Sequence, residues 1–425
     1  MRIQRFEWDG RDPRRLAADV RALQPALGEV SEPVAEIIAE VRQGGDSALA
    51  GIEARFGGAL DPDDFRQSDD AISRAASRLD PELASALETA AANIRTVAEA
   101  QLTDERRVDL PQGQLVELRE VPVEAAGIYA PGGAAAYPST VLMGCIPAKV
   151  AGVGRIAVAT PPGEGAQPVS DVILAAAAIA GADEVYAVGG AQAIAALAVG
   201  TERIAAVDVI AGPGNRYVQE AKRQLAGEVG IDGIAGPSEL MVIAGDTANS
   251  EWMGLDLCAQ AEHGPDGLLV AAAVETVILD AVQASVERIA AERGIADDAA
   301  LALVAMPETE AGVALANAIA PEHLEILAED AELLAGGVTT AGCVFVGERS
   351  ATAFGDYAAG SNHVLPTGGA GRFQGPLGPG AFRRRITTVE IAQDAARELA
   401  PTVATLARAE GFPLHADSAE ARAED

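Results

Sequence analysis

The sequence predicts an α/β protein built on parallel sheets, and three observations carry the prediction. Between about residues 127 and 235, short apolar strands alternate with Ala-rich helices. Glycine turns follow three of the strands, at Gly132-Gly133, Gly189-Gly190 and Gly212-Pro213-Gly214-Asn215. A second series of the same kind resumes at Leu240. Repetition of strand, crossover helix and strand implies parallel pairing, so two Rossmann-like parallel-sheet domains with small helical terminal segments are expected. At 425 residues the chain has room for two cores, since single cores rarely grow past roughly 250–300 residues.

The elements follow in order. Residues 12–56 carry helical spacing in Leu16, Val20 and Leu23, then in Val34, Ile37, Ile38 and Val41, closed by Gly44-Gly45. A second helical run covers about 70–103. A polar, strand-like stretch then leads to a strand that ends at Gly132-Gly133. Strands are expected at 155–160, 184–188 and 207–211, and helices at 169–180, 191–199 and 217–225. In the second series, strands fall at 240–244, 268–274 and 342–346, with a helix from about 250. Residues 366–386, rich in Gly, Pro and Arg, read as an ordered loop or linker. Helices continue to 408, and the last ten residues read as frayed.

Composition narrows the function. With 49% hydrophobic and 4% aromatic residues, the cores must be built from Ala, Val, Ile and Leu, which suits a globular protein. The balance of 31 basic against 63 acidic residues gives −32, so nucleic acid and anionic membrane surfaces are poor partners. Only Lys149 and Lys222 are lysines. An acidic, Lys-poor surface suits concentrated salt, and genomic base composition produces the same bias. Cys145, Cys258 and Cys343 are odd in number, widely spaced and without CxxC, as expected of reduced thiols. The first residues lack the apolar stretch of a signal peptide, and no window approaches roughly 18 apolar residues. A cytoplasmic protein is expected.

Histidine is scarce: His263, His323, His363 and His415 are the four. Gln260 and His263 stand at i and i+3 near the end of the helix that starts at about 250. An amide oxygen and an imidazole can therefore approach one point, where Gly264-Pro265 stops the helix. QxxH alone serves equally as a polar helix end. Pro321-Glu322-His323 sets an acid beside an imidazole, and in an extended segment both can reach one cleft. A solvent-facing pair is the alternative. The loop Gly355-Asp356-Tyr357-Ala358-Ala359-Gly360-Ser361-Asn362-His363 is polar and bracketed by glycines, with Asp356 a candidate metal ligand. Glu410 and His415 lie in the tail, which taken alone reads as solvated. For a cofactor, GxGxxG is absent; the three glycine turns offer backbone N–H groups to a pyrophosphate, although tight strand–helix turns need glycine anyway.

Together these segments resemble the histidinol dehydrogenase family. The matching stretches are GIYAPGG with YPSTVLM (127–143), VGGAQAIAALAVGT (188–201), IAGPGNRYVQEAKRQLAGEVGIDGIAGPSE (210–239), QAEHGPD (260–266), APEHLEI (320–326) and FGDYAAGSNHVLPTGG (354–369). Agreement is looser before residue 120 and between about 275 and 310.

The resemblance implies a zinc- and NAD-dependent oxidation of L-histidinol through histidinal to L-histidine. It places the zinc ligands on Gln260, His263, Asp356 and His415, the general base on His323 and the water-activating acid on Glu322. Substrate contacts fall on Ser238 and Glu410 as well as on these six. NAD contacts fall on Tyr129, Gln192 and Asn215. It also implies an intertwined homodimer whose tail supplies Glu410 and His415 to the partner. The implied domains are an N-terminal arm (1–25), a discontinuous metal-carrying α/β domain (26–126 and 237–365), an NAD-binding α/β domain (127–236), and a linker with a dimer-crossing tail (366–425). No cysteine matches a role, which excludes a thiohemiacetal route. The rivals are a paralogue acting on another small amino alcohol or polyol, and a zinc hydrolase using Glu322 and bound water. The hydrolase leaves the glycine turns unexplained.

Overall fold

A computed structural model of the chain describes every residue except 26–27, 57, 59, 133–135, 164–167, 296–298 and 425; Gly133 thus lies outside the described residues. The chain opens with β1 (Arg2–Glu7) and α1 (Pro13–Arg21), followed by α2 (Ser31–Arg55), α3 (Asp69–Arg78) and α4 (Pro81–Ala100). Next come β2 (Arg106–Asp109), β3 (Leu115–Pro122), β4 (Ala125–Tyr129), α5 (Pro138–Ala151), β5 (Arg155–Thr160) and α6 (Asp171–Ala180). After them run β6 (Glu184–Ala187), α7 (Gly190–Val199), β7 (Val209–Ala211), α8 (Arg216–Leu225) and β8 (Gly230–Ile231). The second series holds β9 (Glu239–Ala244), α9 (Ser250–Ala261), β10 (Leu268–Ala273), α10 (Thr276–Arg293), β11 (Ala300–Ala305) and α11 (Thr309–Ile319). It ends with β12 (His323–Leu327), α12 (Ala331–Ala335), β13 (Cys343–Val346) and α13 (Thr352–Tyr357), before β14 (Arg383–Glu390), α14 (Gln393–Ala409) and α15 (Pro413–Glu420).

Two parallel sheets form, with strand orders β1-β11-β10-β9-β12-β13 and β6-β5-β4-β7-β8. Each contains the same doubly wound pattern, in which the first strand of a series is central and the order reverses beside it. The reversal falls between β9 and β12 in one sheet and between β4 and β7 in the other. A small antiparallel sheet, β14-β3-β2, stands apart. Strand β14 falls where a loop and then helices were expected. Buried Ala lines the helix–sheet interfaces, for example Ala175, Ala176, Ala193 and Ala195, so helices approach closely without aromatic filling.

Four expectations are corrected, two of them about domains. Residues 1–25 are not a free arm: β1 pairs in parallel with β11 from Arg2↔Ala300 to Glu7↔Ala305 and closes the six-stranded sheet. Its alternation of charge, RIQRFE, conceals a strand because an edge strand leaves most of its side chains in water. Residues 31–100 do not join the domain expected to carry the metal. The faces of α2 presented by Val34, Ile37, Ile38 and Val41 pack into the core of Tyr129, Ala193, Ile194 and Leu197. Those of α3 and α4, through Ile72, Leu87 and Ile94, pack with Ile128, Val141 and Ile156. All three helices thus cover the five-stranded sheet. Third, α2 does not close at Gly44-Gly45: Gly45 takes φ 53, kinks the helix, and a further stretch runs to Arg55. The tail is helical rather than frayed, and α15 packs on α14 through Ala404, Ala407 and Ala416.

Candidate active site

Two cavities meet where the sheets face each other. The smaller, of about 600 Å³, is bounded by loops beyond the carboxyl ends of β4 and β7 and by residues before the amino ends of β9 and β12. It collects Ser238, Gln260, His263, Glu322, His323 and Asp356. The larger, of about 1010 Å³, lies over the five-stranded sheet and includes Tyr129, Gln192 and Asn215. Pro131 and Asn215 border both.

His323 begins β12, held in register with Leu240 of β9 and Cys343 of β13, so its Cα is fixed by ladders on both sides. Its Nδ1–H donates to the Glu239 carbonyl at 3.2 Å, and Nε2 stands 3.3 Å from Asp356 Oδ1. Burial works to lower the pKa of this ring. The carboxylates of Glu322 and Asp356 outweigh it and hold the ring well above the ordinary imidazole range. Asp356 is pushed up by burial, yet His323, with His363 and His263, keeps it below the usual carboxylate value. Glu322 Oε2 accepts the Glu239 N–H at 2.9 Å and stands 3.5 Å from His323 Nδ1. Its Oε1 has no partner among the described residues. Ala320, at φ 53, turns the chain out of α11 into Pro321 and Glu322, a strained non-glycine conformation beside the site.

Groups with no role legible in the sequence hold this arrangement. Glu239, whose backbone serves both Glu322 and His323, has a buried side chain paired with Arg21 of α1 at 2.8 Å, and it accepts the Gly368 N–H at 3.0 Å. His363 donates from Nδ1 to the Asp356 carbonyl at 2.9 Å and meets Thr140 Oγ1 at 3.1 Å. Burial lowers its pKa, so the neutral ring links Asp356 to α5 of the other half. Asn93 of α4 donates to the Ala358 carbonyl at 2.8 Å, fixing the same loop.

On the other side, the turn after β7 is locked by Asp232 and Lys222. Gly212 N–H donates to Asp232 Oδ2 at 2.8 Å, while Lys222 Nζ pairs with Asp232 and donates to the Gly212 carbonyl at 3.1 Å. Gly212 has φ +121, and a Cβ there would lie 2.1 Å from the Tyr129 carbonyl oxygen. Asn215 Oδ1 caps α8 by accepting from Tyr217 N and Val218 N. The expectation of free turn N–H groups needs correction. Gly189 N–H donates to Glu53 Oε1 at 2.9 Å, and Gly190 N–H donates to the Tyr129 hydroxyl at 3.0 Å. Buried polar side chains already take these donors.

Glu410 and His415 are exposed on the α14–α15 hairpin and do not border the cavity. Among the described residues no three His, Cys, Asp or Glu side chains come together to hold a metal. Gln260, His263 and Asp356 share the cavity, and Gln260 Nε2 is buried without a partner among the described residues. The thiols are unsuited to nucleophilic work: burial raises the pKa of Cys145 and Cys343 and pushes Cys258 up to about 11. Among the described residues no helix is long and apolar enough to cross a membrane.

Two doubly wound sheets facing each other across a cleft, with a buried acid–imidazole pair at the junction, define an α/β enzyme. The histidinol dehydrogenase family model matches residues 22–423. The histidinol dehydrogenase of Natronomonas pharaonis is 46% identical over 404 residues, covering 93% of this chain and 94% of its own length. That of Pseudomonas putida is 42% identical over 403 residues, covering 92% and 90%. A crystal structure of histidinol dehydrogenase from Elizabethkingia anophelis superposes with TM-score 0.91 at 32% identity, covering 99% of this chain and 98% of that one. The chain belongs to the histidinol dehydrogenase family and is an oxidoreductase.

Proposed function

We propose that the protein oxidises L-histidinol through histidinal to L-histidine with two molecules of NAD, as the last step of histidine biosynthesis. The observation that carries this reading is the meeting of a large cavity with the acid–imidazole cleft at Pro131 and Asn215. A hydride must pass between two bound molecules, and here their sites adjoin. NAD fits the larger cavity, which lies at the strand-order reversal where doubly wound sheets take nucleotides. With Tyr129, Gln192 and Asn215 contacting it, NAD supplies the hydride acceptor.

The donors of the smaller cavity suit zinc: an amide at Gln260, an imidazole at His263 and a carboxylate at Asp356. The Gln260 amide nitrogen, unpartnered among the described residues, would donate to an acceptor on the substrate, leaving the amide oxygen for the metal. Held by these three, with His415 from the tail of a second copy, zinc would anchor the imidazole and amino groups of the substrate. Ser238 and Glu410 complete the substrate contacts.

His323 acts as the base. Its Nδ1–H is committed to the Glu239 carbonyl, so once Asp356, the present partner of Nε2, is committed to the metal, Nε2 would take the alcohol proton as the hydride departs. The neighbouring carboxylates then stabilise the imidazolium. Glu322, through its free Oε1, orients and deprotonates the water that adds to the aldehyde, while the His323 imidazolium returns its proton to the aldehyde oxygen, which gives the hydrate and restores the neutral ring. His323 takes the hydroxyl proton of the resulting hydrate as the second hydride leaves, and the carboxylate is formed. Retaining the aldehyde in the cleft prevents its loss between steps.

Exposed Leu406 (60%), Phe412 (54%) and Leu414 (78%) on the hairpin support an intertwined homodimer that covers them. Reduced cysteines accord with a cytoplasmic setting.

Two measurements test this reading. L-Histidinol with NAD should yield two NADH per substrate, and chelation should abolish the activity. A yield of one, or release of free aldehyde, overturns the two-step scheme. Mixing inactive Glu322→Ala and His415→Ala subunits should restore part of the activity if the tail acts in trans; absence of rescue rejects tail exchange.

A further inference from the structure

The larger cavity contains a buried carboxylate that neither the proposed chemistry nor the expected cofactor contacts account for. Glu53 stands on the part of α2 beyond the Gly45 kink and is only 3% exposed. Its Oε1 accepts two hydrogen bonds, from Gly189 N–H and from Gln192 Nε2, each at 2.9 Å. Its Oε2 has no hydrogen-bond partner among the described residues. Glu53 borders the cavity together with Gly58, where an added Cβ would lie 2.9 Å from that oxygen. Burial raises the Glu53 pKa, and the two donors oppose the rise. A buried carboxylate with one oxygen satisfied and the other open to a cavity is a site built to accept hydrogen bonds from a ligand.

The rest of the wall sharpens the chemistry. Asp64 also borders the cavity, and among the described residues no Lys or Arg does. Dinucleotide sites that take a free ribose diol present an acid to its hydroxyls, whereas sites that take a 2′-phosphate present an Arg. In the usual arrangement that acid lies about 20 residues beyond the glycine turn. Here an acid comes instead from a separate helix, and the glycine turn is bonded to it.

We propose that Glu53 is the cofactor-specificity residue: its free oxygen accepts a ribose hydroxyl of the dinucleotide, and its charge, with that of Asp64, turns away a 2′-phosphate. This rests on the dinucleotide reading of the cavity given above. Glu53 also positions the cofactor contact Gln192, so one carboxylate orders the wall and reads the ligand.

The test uses the full-length, metal-loaded enzyme with L-histidinol and either NAD or NADP. Glu53→Gln keeps an acceptor for Gly189 and Gln192 while removing the charge. It should raise the ratio of kcat/KM for NADP over NAD by about 10- to 100-fold, chiefly through KM. Glu53→Asp, which keeps the charge but shortens the reach, should weaken NAD and still reject NADP. Calorimetric titration with NAD and NADP provides a readout independent of turnover. An unchanged NADP/NAD ratio in Glu53→Gln, including equal losses for both cofactors, overturns the proposal. If the wild-type enzyme binds neither dinucleotide, the underlying functional reading fails with it; if it binds NAD and the ratio does not move, only the role of Glu53 fails.

Discussion

The sheets β6-β5-β4-β7-β8 and β11-β10-β9-β12-β13 share one strand order but serve the cleft from opposite ends. In the first, the functional segments lie past the carboxyl ends of β4 and β7, the usual place for a ligand on such a sheet. In the second, Ser238, Glu322 and His323 stand at the amino ends of β9 and β12. The difference lies in what each end offers. Carboxyl-end turns bring backbone close to backbone, so their demands fall on glycines such as Gly212 and on the side chains that lock them. Amino ends here present the first side chains of ladder-fixed strands, so their demands fall on chemically distinct residues.

The largest expected effect falls on the side-chain end. His323→Ala should lower kcat by about 10²- to 10⁴-fold while leaving the NAD affinity of the folded enzyme unchanged in a titration. Near-normal turnover would remove His323 from its role as base and blur the contrast between the two ends. At the backbone end, Gly212→Ala places a methyl group 2.1 Å from the Tyr129 carbonyl in a left-handed conformation. It should destabilise the protein by more than about 3 kcal/mol in urea unfolding and weaken NAD binding. A wild-type midpoint and affinity would show that the turn tolerates side chains after all.

A smaller effect tests what lies behind the catalytic cleft. Asp256 stands one helical turn before Gln260, and Glu325 two strand positions after His323, so the pair repeats the spacing of the site on each element. Burial pushes Glu325 up to about 8 and Asp256 up to about 6. A carboxyl whose folded pKa is raised binds its proton more tightly in the native state. Stability is therefore lost as pH rises from the unfolded value of about 4.3 through about 8. Glu325→Gln should stabilise the protein at pH 8 by about 1–3 kcal/mol and change little at pH 5, as read by thermal unfolding at both values. An equal shift at both pH values would mean that Glu325 holds no proton of consequence.

Much of the cleft is legible before folding is considered. Gln260 and His263 lie at the end of α9 where spacing places them, and the glycine turns follow β6 and β7 as expected. His363, left without a role in the sequence, proves to be the neutral link between Asp356 and Thr140. Glu53 gave no signal because Gly44-Gly45 reads as a helix end; one residue at φ 53 instead kinks α2 and carries the helix on to it. Arg21 and Glu239 looked like ordinary charges, since a buried ion pair is invisible until both partners are placed. The tail residues Glu410 and His415 stay outside the cleft of their own chain.

The sequence by itself determined most of the helices and several of the sheet strands, though not β1, β14 or α15, as well as which turns require glycine and which few residue types carry chemistry. Periodicity and residue identity are local, and they mark a face as apolar or a group as reactive. Tertiary structure alone decided that α2–α4 cover the five-stranded sheet, that β1 extends the six-stranded one, and that the cleft uses opposite ends of two similar sheets. An apolar face specifies that it must be buried, not against what; the partner is chosen by the shape and volume left open when the whole chain packs.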